Sequence, residues 1–412
     1  MHQITTSKFK TNLVAIFLTN ELNRENVTKN ALIPVVLKRG SKTMISQEEI
    51  SKQMEEMYGA SFDCGLDKTG DNHVLKFYIE TINDNYLPKE ENNMLELSIK
   101  KLLDIVFNPL LENENSFKKD YLEQEKNNIK QIIESKADNK ARYALDRCIE
   151  EMYKNKPYGL YKYGYIEDLE SLDAKNLYEY YQKMISECKI DIFVSGKLDQ
   201  NTLNIIENNE NIQKLNDREV KIINGIEKKE KVEEKEVIEE MDVTQGKVVI
   251  GMDLDLKNEE QKYDALLYNA ILGGSASSKM FQEVREKASL AYTASSSYVR
   301  YKSNIFIRCG IEIKNYKKAI EIIKKQLEDM KNGIFTDEDI ENAKKGIISS
   351  IKSIDDEQDT EITYFFGQEL TNNKITLEEY IKKIQNISKE NIIKIANDAQ
   401  INTIYFLKNK EL

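Results

Sequence analysis

The chain has 412 residues and a mass of 47.9 kDa, with 40% hydrophobic and 32% charged residues, so two to four domains are expected. That apolar content supports sizeable cores and excludes a disordered chain. A net charge of −11 argues against a nucleic-acid groove and against docking on an anionic membrane.

No N-terminal apolar run precedes a small-residue cleavage site, and no stretch reaches the roughly 18 apolar residues of a membrane span. A cytoplasmic protein is therefore expected. Cys64, Cys148, Cys188 and Cys309 show no CxxC spacing, which predicts reduced, mostly buried thiols.

In chain order, 13–19 (LVAIFLT) has the length of a strand and 26–38 reads as a helix. Ser46 and Glu49 form a capping box opening a helix with Ile50, Met54 and Met57 on its apolar face, ended by Gly59. Strands at 60–66 and 73–80 flank the turn residues DKTGDN, and a helix at 91–107 stops at Asn108-Pro109. Helices follow at about 116–134 and 137–154. After a loop-like segment, Asp173 caps a helix with Leu177, Tyr180, Tyr181 and Met184. A strand at 189–195 ends on Gly196.

Residues 216–240 are nearly all charged and read as a solvated connector. This divides the chain into an N-terminal half (1–215) and a C-terminal half (241–412). The second half opens with a strand at 247–256 and a helix through Ala265–Leu272, which runs into a loop with Gly273 and Gly274. Ser277 or Ser278 is expected to cap the next short helix, with Met280, Phe281 and Val284 facing inward. Strands at 290–300 and 304–313, helices at about 315–331 and 336–352, and a helix pair at 376–398 lead to a terminal strand, 402–407. On spacing alone, Arg285 reads as a surface charge and Tyr292 as a half-buried strand aromatic. His2 and His73, the only histidines, read as structural or incidental.

The halves rhyme. Ala31 through Gly40 sets against Ala265 through Gly274, and Phe117, Leu122 and Ile129 recur as Phe335, Ile340 and Ile347 at the same spacings. Strands interleaved with helix pairs predict an α+β fold of two duplicated half-domains, each a mixed sheet with helices on one face, together forming a clamshell.

The run LGGSASSKMFQEVREKASLAYTASSSY resembles the C-terminal signature of pitrilysin/insulinase-type zinc peptidases, the family that includes the mitochondrial processing peptidases. Ser277, Ser278, Phe281, Val284, Arg285, Glu286, Leu290, Ala291 and Tyr292 match, whereas Met280 and Ser289 depart from the pattern. The resemblance implies that Arg285 and Tyr292 hold substrate peptide, with Gly273 and Gly274 allowing close backbone approach. It also implies an HxxEH zinc motif on the first helix of the N-terminal half and a further Glu on a later helix. The matching run here is ALIPVVLKRGS: Ala31 stands at the first His, Pro34 at the catalytic Glu and Val35 at the second His, while the third ligand maps near Ile132. A zinc ion takes nitrogen, sulfur or carboxylate oxygen ligands, and these side chains offer none. No GxSxG elbow, P-loop or Cys/His pair replaces them.

A non-catalytic chain without cofactor is thus expected, a bacterial homologue that contributes substrate contacts to a zinc-bearing homologous partner. The alternative is a peptide- or protein-binding scaffold without proteolytic role.

Overall fold

The computed structural model describes residues 1–88, 93–196, 200–215, 220, 222 and 229–410. The elements are β1 (His2–Thr5), β2 (Thr11–Glu21), α1 (Val27–Leu37), α2 (Gln47–Glu56), β3 (Ser61–Thr69), β4 (Asn72–Ile82), α3 (Met94–Phe107), β5 (Leu111–Asn113) and β6 (Ser116–Phe117). Next come α4 (Lys119–Glu134), α5 (Lys140–Met152), α6 (Ile166–Ser171), α7 (Ala174–Glu187), β7 (Lys189–Gly196), α8 (Gln200–Glu207) and α9 (Glu210–Gln213). The rest are β8 (Lys235–Glu240), β9 (Gly246–Leu254), α10 (Gln261–Gly273), a π-helix (Met280–Lys287), β10 (Ala291–Val299) and β11 (Asn304–Ile311), then α11 (Tyr316–Lys331), α12 (Asp337–Lys352), α13 (Gln358–Thr371), α14 (Leu377–Gln385), α15 (Lys389–Asp398) and β12 (Ala399–Lys408).

Among the described residues, two five-stranded sheets form, in the orders β1-β7-β2-β4-β3 and β8-β12-β9-β11-β10. In each, the first pair is parallel and the remaining pairs are antiparallel. The duplication read from the sequence is therefore a duplication of topology, and the α+β class holds. Several local expectations hold as well. The Ser46 hydroxyl accepts from the Glu49 N–H, the cap half of the expected box, while the Glu49 carboxylate accepts from Gln53 instead; Asp173 and Asn176 form a full capping box on α7. Cys148, Cys188 and Cys309 are buried, Cys64 is half-buried, and all four are free thiols.

Two compact units cluster around these sheets, and neither is continuous in sequence. The first comprises Met1–Glu134, Leu160–Ile223 and Asp355–Leu370. Its core lies between the sheet and the helices, with Val14, Ile16 and Leu18 of β2 meeting Leu32, Ile33 and Leu37 of α1. Burial on β2 is continuous rather than alternating because its other face is covered too. There Phe17 packs edge-on against Phe366 of α13, with ring centroids 4.4 Å apart.

The second unit comprises Ser135–Gly159, Asn224–Ile354 and Thr371–Leu412. Its main core joins Val248, Ile250 and Met252 of β9 to Leu267, Ile271 and Leu272 of α10. A smaller core on the opposite face packs Ala144, Leu145, Cys148 and Ile149 of α5 against Val249, Phe306 and Tyr405. The helices α5 and α13 hold corresponding places in the two repeats, and each covers the sheet built from the other half of the sequence.

The charged run behaves differently from a solvated connector where it is described. Residues 216–219, 221 and 223–228 of it lie outside the described residues. Lys229 is buried, its ammonium 3.2 Å from Asp253 and 2.8 Å from the Tyr153 hydroxyl. Lys235–Glu240 forms β8, parallel to β12 and equivalent to β1 of the first repeat. Its charges persist because it is an edge strand, with Glu239 held by Arg147, Tyr143 and Tyr405.

Candidate functional site

Helix α1, where the resemblance places the zinc motif, is buried on nearly every side. Ala31, Leu32, Ile33 and Pro34 are buried, and Val35 packs partly buried against the same core. Pro34 lacks an N–H to complete the helix ladder. Its carbonyl is not idle: it accepts from the half-buried Cys64 thiol at 3.4 Å, and burial pushes that thiol up to about 11. Helix α4 packs on α1, and Ile132 on α4 is partly exposed. A zinc ion with a catalytic water needs three ligands and a nearby carboxylate. The four side chains at these positions do not fit it, and among the described residues no group of three or more His, Cys, Asp or Glu side chains is arranged to hold a metal.

Buried polar networks surround this apolar patch. The Tyr180 hydroxyl donates to Asn30 Oδ1 at 2.6 Å, and Asn30 Nδ2 lies 3.2 Å from Nδ1 of the buried His73. Arg39, just after α1, donates from Nε to Glu125 of α4 at 2.5 Å, while Asn128 serves the other carboxylate oxygen at 3.0 Å. These contacts tie α1 to β4, α7 and α4. They were not evident from sequence, since only spatial neighbours distinguish a buried Glu125 from the exposed charges beside it. His2 is also structural: in β1 its ring stacks on Phe193 and reaches Asp191 at 2.9 Å and Glu369 at 3.4 Å.

The Arg/Tyr element lies in the second unit, where the π-helix Met280–Lys287 packs against β10. Met280 and Val284 are buried as expected. Arg285 is 44% exposed and lays its guanidinium over the Phe281 ring, 4.5 Å from the centroid; its Nε is 3.7 Å from Glu286. Tyr292 is 66% exposed, on an edge strand of its sheet, so it is not the half-buried aromatic that spacing suggests. The expected serine cap is absent. Lys279 occupies the cap position with helical φ and ψ, the Ser278 hydroxyl donates to the Ser275 carbonyl, and Ser277 lies 3.0 Å from the Ser275 hydroxyl. Serines that bond within their own loop are lost to the helix end. Ser289, standing where the family pattern has glycine, sits at φ +51°, a conformation that glycine adopts without cost.

Gly273 is buried at the end of α10, and a Cβ there would lie 2.5 Å from both the backbone nitrogen and the hydroxyl of Ser296 on β10. The missing side chain thus lets α10 and β10 touch. Gly274 is exposed. Gly273→Ala should destabilise the second unit by about 1–3 kcal/mol through overpacking, read as a lower denaturation midpoint; an unchanged midpoint would show that the helix and strand can part freely.

A second concave feature lies in the first unit. A cavity of about 640 Å³ opens between the sheet and the start of α13, walled in part by Phe9, Tyr78, Glu80 and Asp359. The acidic run Asp355–Asp359 was its one visible signal in the sequence.

Comparison with known proteins extends this description. A family model described as the peptidase M16 inactive domain matches residues 171–347. The chain is 37% identical over 411 residues to "Probable inactive metalloprotease YmfF" of Bacillus subtilis (strain 168), covering 100% of this chain and 96% of that protein. It is 24% identical over 287 residues to "Uncharacterized zinc protease YmxG" of the same organism, covering 68% of each. Among solved structures, a conserved protein from Enterococcus faecalis V583 superposes with a TM-score of 0.87 at 26% identity, over 100% of this chain and 96% of that one.

Proposed function

The chain belongs to the peptidase M16 family, the pitrilysin/insulinase type, as a homologue without the zinc-holding residues, and from that premise we propose that it is the non-catalytic subunit of a two-chain zinc peptidase. The observation that carries this reading is a contrast between the repeats. Ala31, Pro34 and Val35 have been absorbed into packing, whereas Arg285 and Tyr292 remain exposed.

A homologous partner bearing HxxEH would supply the metal and the water-activating carboxylate. Arg285 and Tyr292 would supply donors to a peptide carbonyl or to the oxyanion that develops from it. Gly273 holds α10 against β10, the strand that carries Tyr292, and the exposed Gly274 leaves room for a peptide backbone. As an edge strand, β10 also has backbone groups to offer an extended peptide. That Bacillus subtilis holds relatives named as a probable inactive metalloprotease and as a zinc protease supports a pairing of two such chains, here in the cytoplasm.

The test is reconstitution. The purified chain alone should hold no stoichiometric zinc and cleave no peptide, while co-purification with an HxxEH-bearing homologue should yield cleavage abolished by chelation. Turnover by the isolated chain in EDTA would overturn the reading. So would a stable homodimer that captures peptides and gains nothing from the partner.

A further inference from the structure

The cavity in the first unit has a volume of about 640 Å³, within the range that encloses small ligands. Its charge is one-sided. Asp63 from β3, Glu80 from β4, Asp359 from the first turn of α13, and Asp356 and Glu357 from the segment just before that helix line it, against the single ammonium of Lys76. That ammonium is already paired with Asp67. Two of the carboxylates have cations nearby: Lys8 bonds Asp356 at 2.6 Å, and Lys38 lies 3.8 Å from Asp63. Glu80, Glu357 and Asp359 form no ion pair with any described residue.

Glu357, just before α13, and Asp359, in its first turn, suit the positive end of the helix dipole. That does not account for Glu80 and Asp63, which reach the same space from two different strands. Nor does it account for Tyr78. Its ring is held edge-on by Phe17, centroids 5.6 Å apart, and its hydroxyl makes no hydrogen bond to any described residue. Burial, together with the charges of Asp67, Asp359 and Asp63, pushes that hydroxyl well above the usual phenol range, so it stays a neutral donor and acceptor at the wall. Unpaired carboxylates beside aromatic faces are the surroundings that favour an organic cation, by Coulomb attraction and by cation–π contact.

We propose that this cavity binds an alkylammonium or guanidinium group, carried either by a free polyamine or by a basic side chain of a peptide. Carboxylates from β3, β4 and α13 neutralise the charge, and the Tyr78 and Phe9 rings cover the alkyl stem. The site lies wholly within the first unit and is independent of any pairing with a zinc-bearing subunit.

Titration calorimetry on the full chain at low salt tests this with spermidine, with an N-acetyl-lysine amide and with its side-chain-acetylated, neutral counterpart. Saturable binding of spermidine alone identifies a free amine as the source; binding of the lysine amide, in competition with spermidine, identifies a side chain. Affinity should fall at least tenfold in E80Q/D359N and stay unchanged in E321Q/E378Q, which makes the same change in net charge at exposed positions of the second unit. E80Q and D359N made singly, both at exposed positions, guard against a double variant that fails to fold. Absence of saturable binding, equal binding by both double variants, or equal binding of the neutral amide would each overturn the assignment.

Discussion

Arg285→Ala, assayed in complex with an HxxEH-bearing partner, should slow peptide cleavage about 30- to 1,000-fold, a loss of about 2–4 kcal/mol of transition-state stabilisation. The figure is that of removing one donor from an oxyanion site sheltered from water. The structure makes the side chain available for this work. Its nearest carboxylate, Glu286, is 3.7 Å away, and the guanidinium plane is steadied by the Phe281 ring rather than used up in a fork of hydrogen bonds. A half-exposed arginine on an open helix face contributes little to folding, so the variant should melt with the parent. The lysine variant separates charge from geometry. Lys keeps the cation but not the planar fork, so it should recover only part of the rate. If the side chain serves the transition state, kcat falls with kcat/KM; if it only grips the peptide, KM rises alone. Unchanged cleavage by Arg285→Ala would remove the role assigned to it.

How much of this was legible beforehand depended on whether the information was local. The Ser46 and Asp173 caps and the β7 strand are written in short stretches, and the structure has them where spacing placed them. The strand β8 was hidden because an edge strand can keep its charges, and only its register with β12 shows that it pairs. Helix α13 fell in a stretch with no element assigned to it. Its partner Phe17 is some 350 positions away, and a long-range contact leaves no period in the sequence. For the same reason α5 reads as an amphipathic helix without revealing which sheet it covers. The family resemblance singled out Arg285 and Tyr292, but it said nothing of their exposure. Spacing put Tyr292 half inside, and the structure puts it outside, at the register shift between Ala291 and Thr293 where it has no partner on β11. The cavity was least legible of all, since its walls come from β2, β3, β4 and α13.

The first unit should lose stability steeply as pH falls below neutrality, and His73 should be the main cause. Its imidazole is fully buried beside Asn30, and burial pushes it from 6.5 down to about 3, outweighing the favourable backbone of Lys162; Lys68 and Lys162 push the same way as burial. Above pH 6.5 the ring is neutral in both folded and unfolded chains and costs nothing. Below it, the unfolded chain takes up a proton that the folded one refuses until about pH 3. Stability is therefore present above the unfolded value and is lost as pH falls towards the folded one. At about 1.36 kcal/mol per pH unit the full loss approaches about 5 kcal/mol, comparable with the entire stability of many domains. Near pH 5 the loss should already be about 2 kcal/mol. Carboxylates do not account for this window. Asp191, although burial opposes its ionisation, is held below its ordinary value by His2 and Lys189, so its contribution fades only at lower pH. Amide hydrogen exchange along α1 and β4, measured between pH 7 and 5 and corrected for intrinsic rates, reads the opening of this unit directly. His73→Gln should be less stable than the parent at pH 7, yet nearly flat across the window, so the two curves converge as the solution is acidified. A parent curve as flat as that of the variant would mean that the imidazole charges inside the fold and that water reaches it there.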